Sequence, residues 1–140
     1  MERALELAYK AAADGEIPVG AVVVRNGVII GEGRNRREKE KTALAHAEIE
    51  ALHNACQSVG DWRLSGCELF VTLEPCAMCC GAIINARIDR LVFGAYDERA
   101  GAVISRADIT DSFGAGIHVV GGYMENECKA VLTSFFQKLR

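Results

Sequence analysis

No run of apolar residues in this chain approaches the length that would cross a membrane. Basic charge is not in excess either: 16 Lys and Arg face 19 Asp and Glu, a net charge of −3. Composition therefore gives no support to a strongly basic nucleic-acid binder and leaves room only for a local patch. The opening residues Met1-Glu2-Arg3-Ala4-Leu5-Glu6 carry acids and lack the apolar core of an export signal, so the expected location is the cytoplasm. Internal repeats and linker-like stretches are missing as well. What is present is 140 residues, 50% apolar and 25% charged. That fits one domain over residues 1–140 with a full hydrophobic core.

Six cysteines stand at positions 56, 67, 76, 79, 80 and 128. A chain this apolar needs no covalent staples, so reduced thiols are expected, some of them binding metal. Cys56, Cys67 and Cys128 lie in apolar patterns and read as small core residues. Cys80 sits about 100° around a helix from Cys79 and reads as a packed thiol rather than a ligand.

The periodicity predicts a helix over residues 3–13, with Leu5, Ala8 and Ala12 on one face. Two β-branched runs, 19–24 and 28–30, flank Asn26-Gly27 and predict a tight antiparallel hairpin. Residues 33–45 are charged and read as a solvated loop on the rim of whatever follows. A helix is expected over 46–59, with Ile49, Leu52, Cys56 and Val59 as its apolar stripe and His53 packed near it. Strands are expected at 67–72, 91–95 and 117–120, and helices at 76–86 and 125–139. The last helix has Cys128, Val131, Leu132, Phe135 and Leu139 on its apolar face. Residues 96–116 show no clear pattern beyond a possible short helical turn. Strand-helix-strand units favour parallel pairs with right-handed crossovers. The expected fold is α/β, a three-layer α/β/α arrangement around a mixed five-stranded sheet.

His46-Ala47-Glu48, followed about thirty residues later by Pro75-Cys76-Ala77-Met78-Cys79, carries the chemistry. One imidazole and two thiolates are three soft ligands. A fourth position left open describes a catalytic zinc site better than a structural one. Cys76 and Cys79 are three apart at a helix start, so both sulfurs fall over one turn. The positive end of that helix also favours thiolate. His46 and Glu48, two apart, can converge only on something beyond a helix end, so two helix N-termini should meet around the metal. Water would take the fourth position, activated near neutral pH. Glu48 then takes a proton from it as general base and returns protons to the substrate as general acid. Glu74, beside Pro75, reads as a helix-capping carboxylate. A redox role for Cys76 and Cys79, or a binding module without catalysis, leaves His46 and Glu48 unexplained. The pattern is similar to the H-x-E and P-C-x-x-C signature of zinc nucleobase deaminases.

Further stretches carry a closer resemblance: Pro18-Val19-Gly20-Ala21-Val22, Gly33-Arg34-Asn35-Arg36, Trp62-Arg63-Leu64, Thr72-Leu73-Glu74-Pro75 and Val92-Phe93-Gly94-Ala95. With the metal motif they resemble the bacterial tRNA-specific adenosine deaminases of the cytidine deaminase-like superfamily, over nearly the whole chain. The resemblance implies hydrolysis of adenosine to inosine at the tRNA wobble position with release of ammonia. It implies zinc on His46, Cys76 and Cys79, Glu48 as proton shuttle, and Asn35 in contact with the target base. It also implies a homodimer that holds the tRNA anticodon arm across both subunits. The rival is a deaminase of a free nucleobase or nucleoside, such as guanine, cytosine or a related amino-heterocycle, suggested by the low charge and the atypical 96–120 stretch.

Overall fold

Asn26 and Gly27 both adopt positive φ, 50° and 78°, as a two-residue hairpin turn of the favoured hand requires. They join β1 (Gly20–Arg25) to β2 (Val28–Arg34), paired antiparallel from Gly20↔Arg34 to Arg25↔Val28, with a bulge between Val23 and Val24. A computed structural model describes residues 1–139 of the chain. Around the hairpin stand α1 (Glu2–Ala13), α2 (Arg37–Glu40), α3 (Ala47–Val59), β3 (Cys67–Leu73) and α4 (Ala77–Asn85). After these come β4 (Arg90–Ala95), α5 (Ile109–Ser112), β5 (His118–Val120) and α6 (Glu125–Lys138).

The sheet order is β2-β1-β3-β4-β5. β1 is antiparallel to β2 and β3, whereas β3, β4 and β5 run parallel. This is the mixed five-stranded sheet the sequence predicts. Ala21, Val23, Leu69, Val71, Leu91 and Phe93 form the larger core with Ala51, Leu52 and Ile83 of α3 and α4. Leu5 and Ala8 of α1 pack with Cys128 and Val131 of α6 in the smaller one.

The directions of the strands decide where a site can form. The C-terminal ends of β2, β3 and β4 and the N-terminal end of β1 all lie along one edge of the sheet. The chain leaves β3 into the N-terminus of α4, and α3 starts after the loop that follows β2, so both helices begin near that edge. Clefts in open α/β sheets form beyond the carboxyl ends of the strands for this reason.

Three expectations need correction. Residues 33–45 are not all loop: β2 runs to Arg34, and 37–40 close into α2. The buried Glu16 carboxylate accepts the N–H groups of Glu38 and Lys39, at 3.0 and 2.8 Å, and so stabilises the first turn of α2. α3 buries Ala47, Glu48, Ala51, Leu52 and Ala55, leaving Ile49, Cys56 and Val59 half-buried and His53 exposed. The cause lies in β2, where a Cβ on Gly31 or Gly33 would collide with the α3 backbone at Ala51 and Ala55 or at Ala47 and Ala51. Glycine on the strand and alanine on the helix bring the two together at close range. On α6 only Cys128 and Val131 are fully buried; Leu132 and Phe135 are half-covered, and Leu139, which caps the end of the helix, is 68% exposed.

Gly33→Val tests this packing. The added side chain meets backbone rather than a movable side-chain end, so the expected loss is about 3 kcal/mol in denaturant unfolding. A loss within about 0.5 kcal/mol of wild type would contradict the close approach.

Candidate active site

His46 is the N-cap of α3 and Cys76 the N-cap of α4, both in extended backbone. Cys79 follows one turn into α4 and is buried. The two helix N-termini therefore meet as the spacing predicts. His46 Nδ1 lies 3.7 Å from Cys76 Sγ and 3.6 Å from Cys79 Sγ, and all three ligand atoms lie within 4.8 Å of one another. Ligands about 2.3 Å and 2.0–2.1 Å from one tetrahedral ion stand about 3.6 Å apart. The arrangement fits a metal ion held by this group.

The electrostatics favour a cation. Cys76 is drawn down to about 4, first by the hydrogen bond from Cys79, against burial, and then by His46. Cys79, which faces that thiolate in a buried position, is pushed up, and His46 is raised, chiefly by its bond to Cys76. The thiolate sits at a helix N-terminus, where the dipole supports it. Glu48 lies in the first turn of α3 and is only 4% exposed. Burial pushes its carboxyl up to about 7, the Cys76 charge adds to that, and His46 opposes it. Cys80 is buried, its thiol raised to about 12 by burial and directed at the Pro75 carbonyl, so it packs rather than ligates.

A cleft of about 920 Å³ opens over the group, and His46, Glu48, Cys76 and Asn35 line it. Asn35 is 8% exposed; its Nδ2 donates to the Ile17 carbonyl at 3.2 Å and its Oδ1 accepts the Arg37 N–H at 3.1 Å. Two of the amide's four hydrogen-bonding positions are spent on the loop and two remain for a ligand. The opposite wall comes from Tyr96, Asp97, Glu98 and Arg99 after β4, with Lys129 and Phe136 of α6 beyond it. The sequence marks the stretch from Tyr96 only as an atypical segment, and the fold is what brings its residues, with Lys129 and Phe136, to the cleft. Glu74 does not cap α4. Its carboxylate turns the other way and accepts hydrogen bonds from the loop over 97–105. Burial alone would raise it, but those hydrogen bonds outweigh burial and hold it below the usual carboxylate value.

The model of the MafB19-like deaminase family matches residues 1–140. The chain is 50% identical to a tRNA-specific adenosine deaminase of Haemophilus influenzae, over all of this chain and 83% of that one. It is 43% identical to the tRNA-specific adenosine deaminase of Bacillus subtilis, over all of this chain and 88% of that one. The chain belongs to the tRNA-specific adenosine deaminase family. A structure from work on A-to-I editing by tRNA:A34 deaminases at the wobble position superposes with a TM-score of 0.91 at 41% identity, covering 94% of this chain and 97% of that one. The fold is thus the cytidine deaminase-like one. As a deaminase of this family the chain is a hydrolase, and its His-Cys-Cys group could hold a metal ion. Among the described residues no helix is long and apolar enough to cross a membrane.

Proposed function

We propose that residues 1–140 form a single zinc-dependent deaminase domain that converts adenosine to inosine at the wobble position of a tRNA anticodon arm and releases ammonia. One observation carries the reading: His46 Nδ1 stands at tetrahedral-site distance from both the Cys76 and the Cys79 sulfur, with the buried Glu48 beside them, in a chain whose relatives are tRNA-specific adenosine deaminases. Zinc on these three residues supplies Lewis-acid activation of water near neutral pH.

The rest falls to the chain. Glu48 accepts a proton from the attacking water as its oxygen bonds to C6 of the base, and passes that proton to N1. It then takes the second water proton and gives it to the amine on C6. The C6–N bond breaks, ammonia leaves and the C6 carbonyl of inosine remains. Burial keeps competing solvent from the carboxylate while the base is in place. The two free positions of the Asn35 amide suit a donor-acceptor pair on the purine edge.

Two features of the rim support RNA. Arg37 and Arg99 are exposed on opposite walls, and among the described residues neither takes part in an ion pair, so both can meet phosphates. Tyr96 and Phe136 expose rings in the cleft on which an unstacked base can lie. A homodimer and a cytoplasmic location belong to the same reading. α4 carries no charged residue, and its Gly81 faces open space, which suits burial against a second copy. Asp97, Glu98 and Glu125 on the same cleft favour the rival, a free nucleobase or nucleoside.

An anticodon stem-loop, adenosine, guanine and cytosine, each incubated with the protein and assayed for deaminated product and ammonia, separate the two. The expected result is inosine at one adenosine of the stem-loop. Turnover of a free base with the stem-loop untouched would replace this reading by its rival.

A further inference from the structure

Among the described residues Glu74 is the least exposed acid, and the chemistry above does not use it. Its Oε1 accepts the Asp97 N–H at 3.0 Å and the Ser105 hydroxyl. Its Oε2 accepts the N–H groups of Val103, Ile104 and Ser105 at 3.2, 2.8 and 2.9 Å. All five donors come from one loop, 23 to 31 residues further along the chain. The loop closes tightly on the carboxyl, for a Cβ on Gly101 would collide with it. Ala102 N–H donates to the Pro75 carbonyl at 2.8 Å, and Ala102 and Val103 are buried in the core below. The same loop turns Asp97, Glu98, Arg99 and Ala100 outward to form one wall of the cleft.

Glu74 precedes Pro75-Cys76, so its backbone is continuous with a metal ligand while its side chain holds the wall. We propose that Glu74 is a positioning residue: acting through the 97–105 loop, it fixes the substrate-facing wall at a set distance from the metal-binding residues. Its kinetic consequence rests on the deaminase reading; its structural consequence does not. A carboxylate suits the task because both its oxygens are acceptors only, so neither turns a hydrogen toward the five donors. Glutamine presents one acceptor oxygen and an NH₂ group that would face N–H donors, so it should release part of the loop.

Glu74→Gln and Gly101→Ala, made in the full chain, test this. Three quantities are read: zinc content, amide hydrogen exchange over 97–105, and kcat and KM on the anticodon stem-loop. Zinc is expected to stay at the wild-type ratio. Exchange over 97–105 should quicken about tenfold or more, and KM should rise about tenfold with kcat within about threefold. Gly101→Ala should do the same with the carboxylate intact, which a role in chemistry would not produce. Ser105→Ala removes one side-chain donor; a smaller effect in the same direction is expected from it, and it carries the test if Glu74→Gln does not fold. Unchanged exchange over 97–105 would overturn the proposal, as would a fall in kcat with KM unchanged. If wild-type protein leaves the stem-loop untouched, the functional reading fails, while the exchange measurement still decides the role of Glu74.

Discussion

Glu48→Gln should keep its metal and lose about 10²- to 10⁴-fold in deamination. Glutamine has nearly the shape of glutamate, so the packing of α3 against β2, and with it the placement of His46, is retained. What disappears is the buried carboxylate that interacts with His46, Cys76 and Cys79. The amide can neither accept the proton of the attacking water nor return it to N1 or to the leaving amine. Metal content by elemental analysis and initial rates on the stem-loop give the two halves of the result. A fully active, metal-loaded Glu48→Gln protein would remove Glu48 from the chemistry. Loss of metal together with activity would make it part of the metal site instead.

Cys76→Ala is the complementary case and should lose metal and activity together. It removes the sulfur that carries the local negative charge, leaving an imidazole and one buried thiol, which is too few ligands for a tight site. The same site links metal to stability. Free zinc at a hundred times its dissociation constant stabilises the native state by about 2.7 kcal/mol. For a domain of this size that corresponds to roughly 10 °C in Tm. Wild-type protein stripped by a chelator should melt lower by about that amount and recover on adding zinc, whereas Cys76→Ala should melt at one temperature in both conditions. A Cys76→Ala protein that still binds zinc stoichiometrically would contradict the assignment.

Local signals made much of this molecule legible in its sequence. Asn26-Gly27 specifies its hairpin through positive φ alone. His46-Ala47-Glu48 and Pro75-Cys76-Ala77-Met78-Cys79 name a donor set whose spacing forces two helix ends together, and the structure brings the three ligand atoms to within 4.8 Å of one another. Features governed by distant partners were not legible. The inward face of α3 is set by Gly31 and Gly33 on a neighbouring strand, so the stripe of larger residues at 49, 52, 56 and 59 misplaces it. Residues 96–116 carry no periodicity because the first half of that stretch is organised by the Glu74 carboxylate. Glu74 itself reads as a cap of the helix beside it, since sequence proximity hides a side chain that points away.

Zinc-dependent deamination of adenosine in RNA at His46, Cys76, Cys79 and Glu48 is the central claim. Its most direct test is inosine formation in an anticodon stem-loop by chelator-stripped protein as zinc is added back. The expected result is no inosine at zero zinc and activity that rises to a plateau at one zinc per chain. Inosine formed at full rate by the stripped protein, or none formed at any zinc ratio, would contradict it.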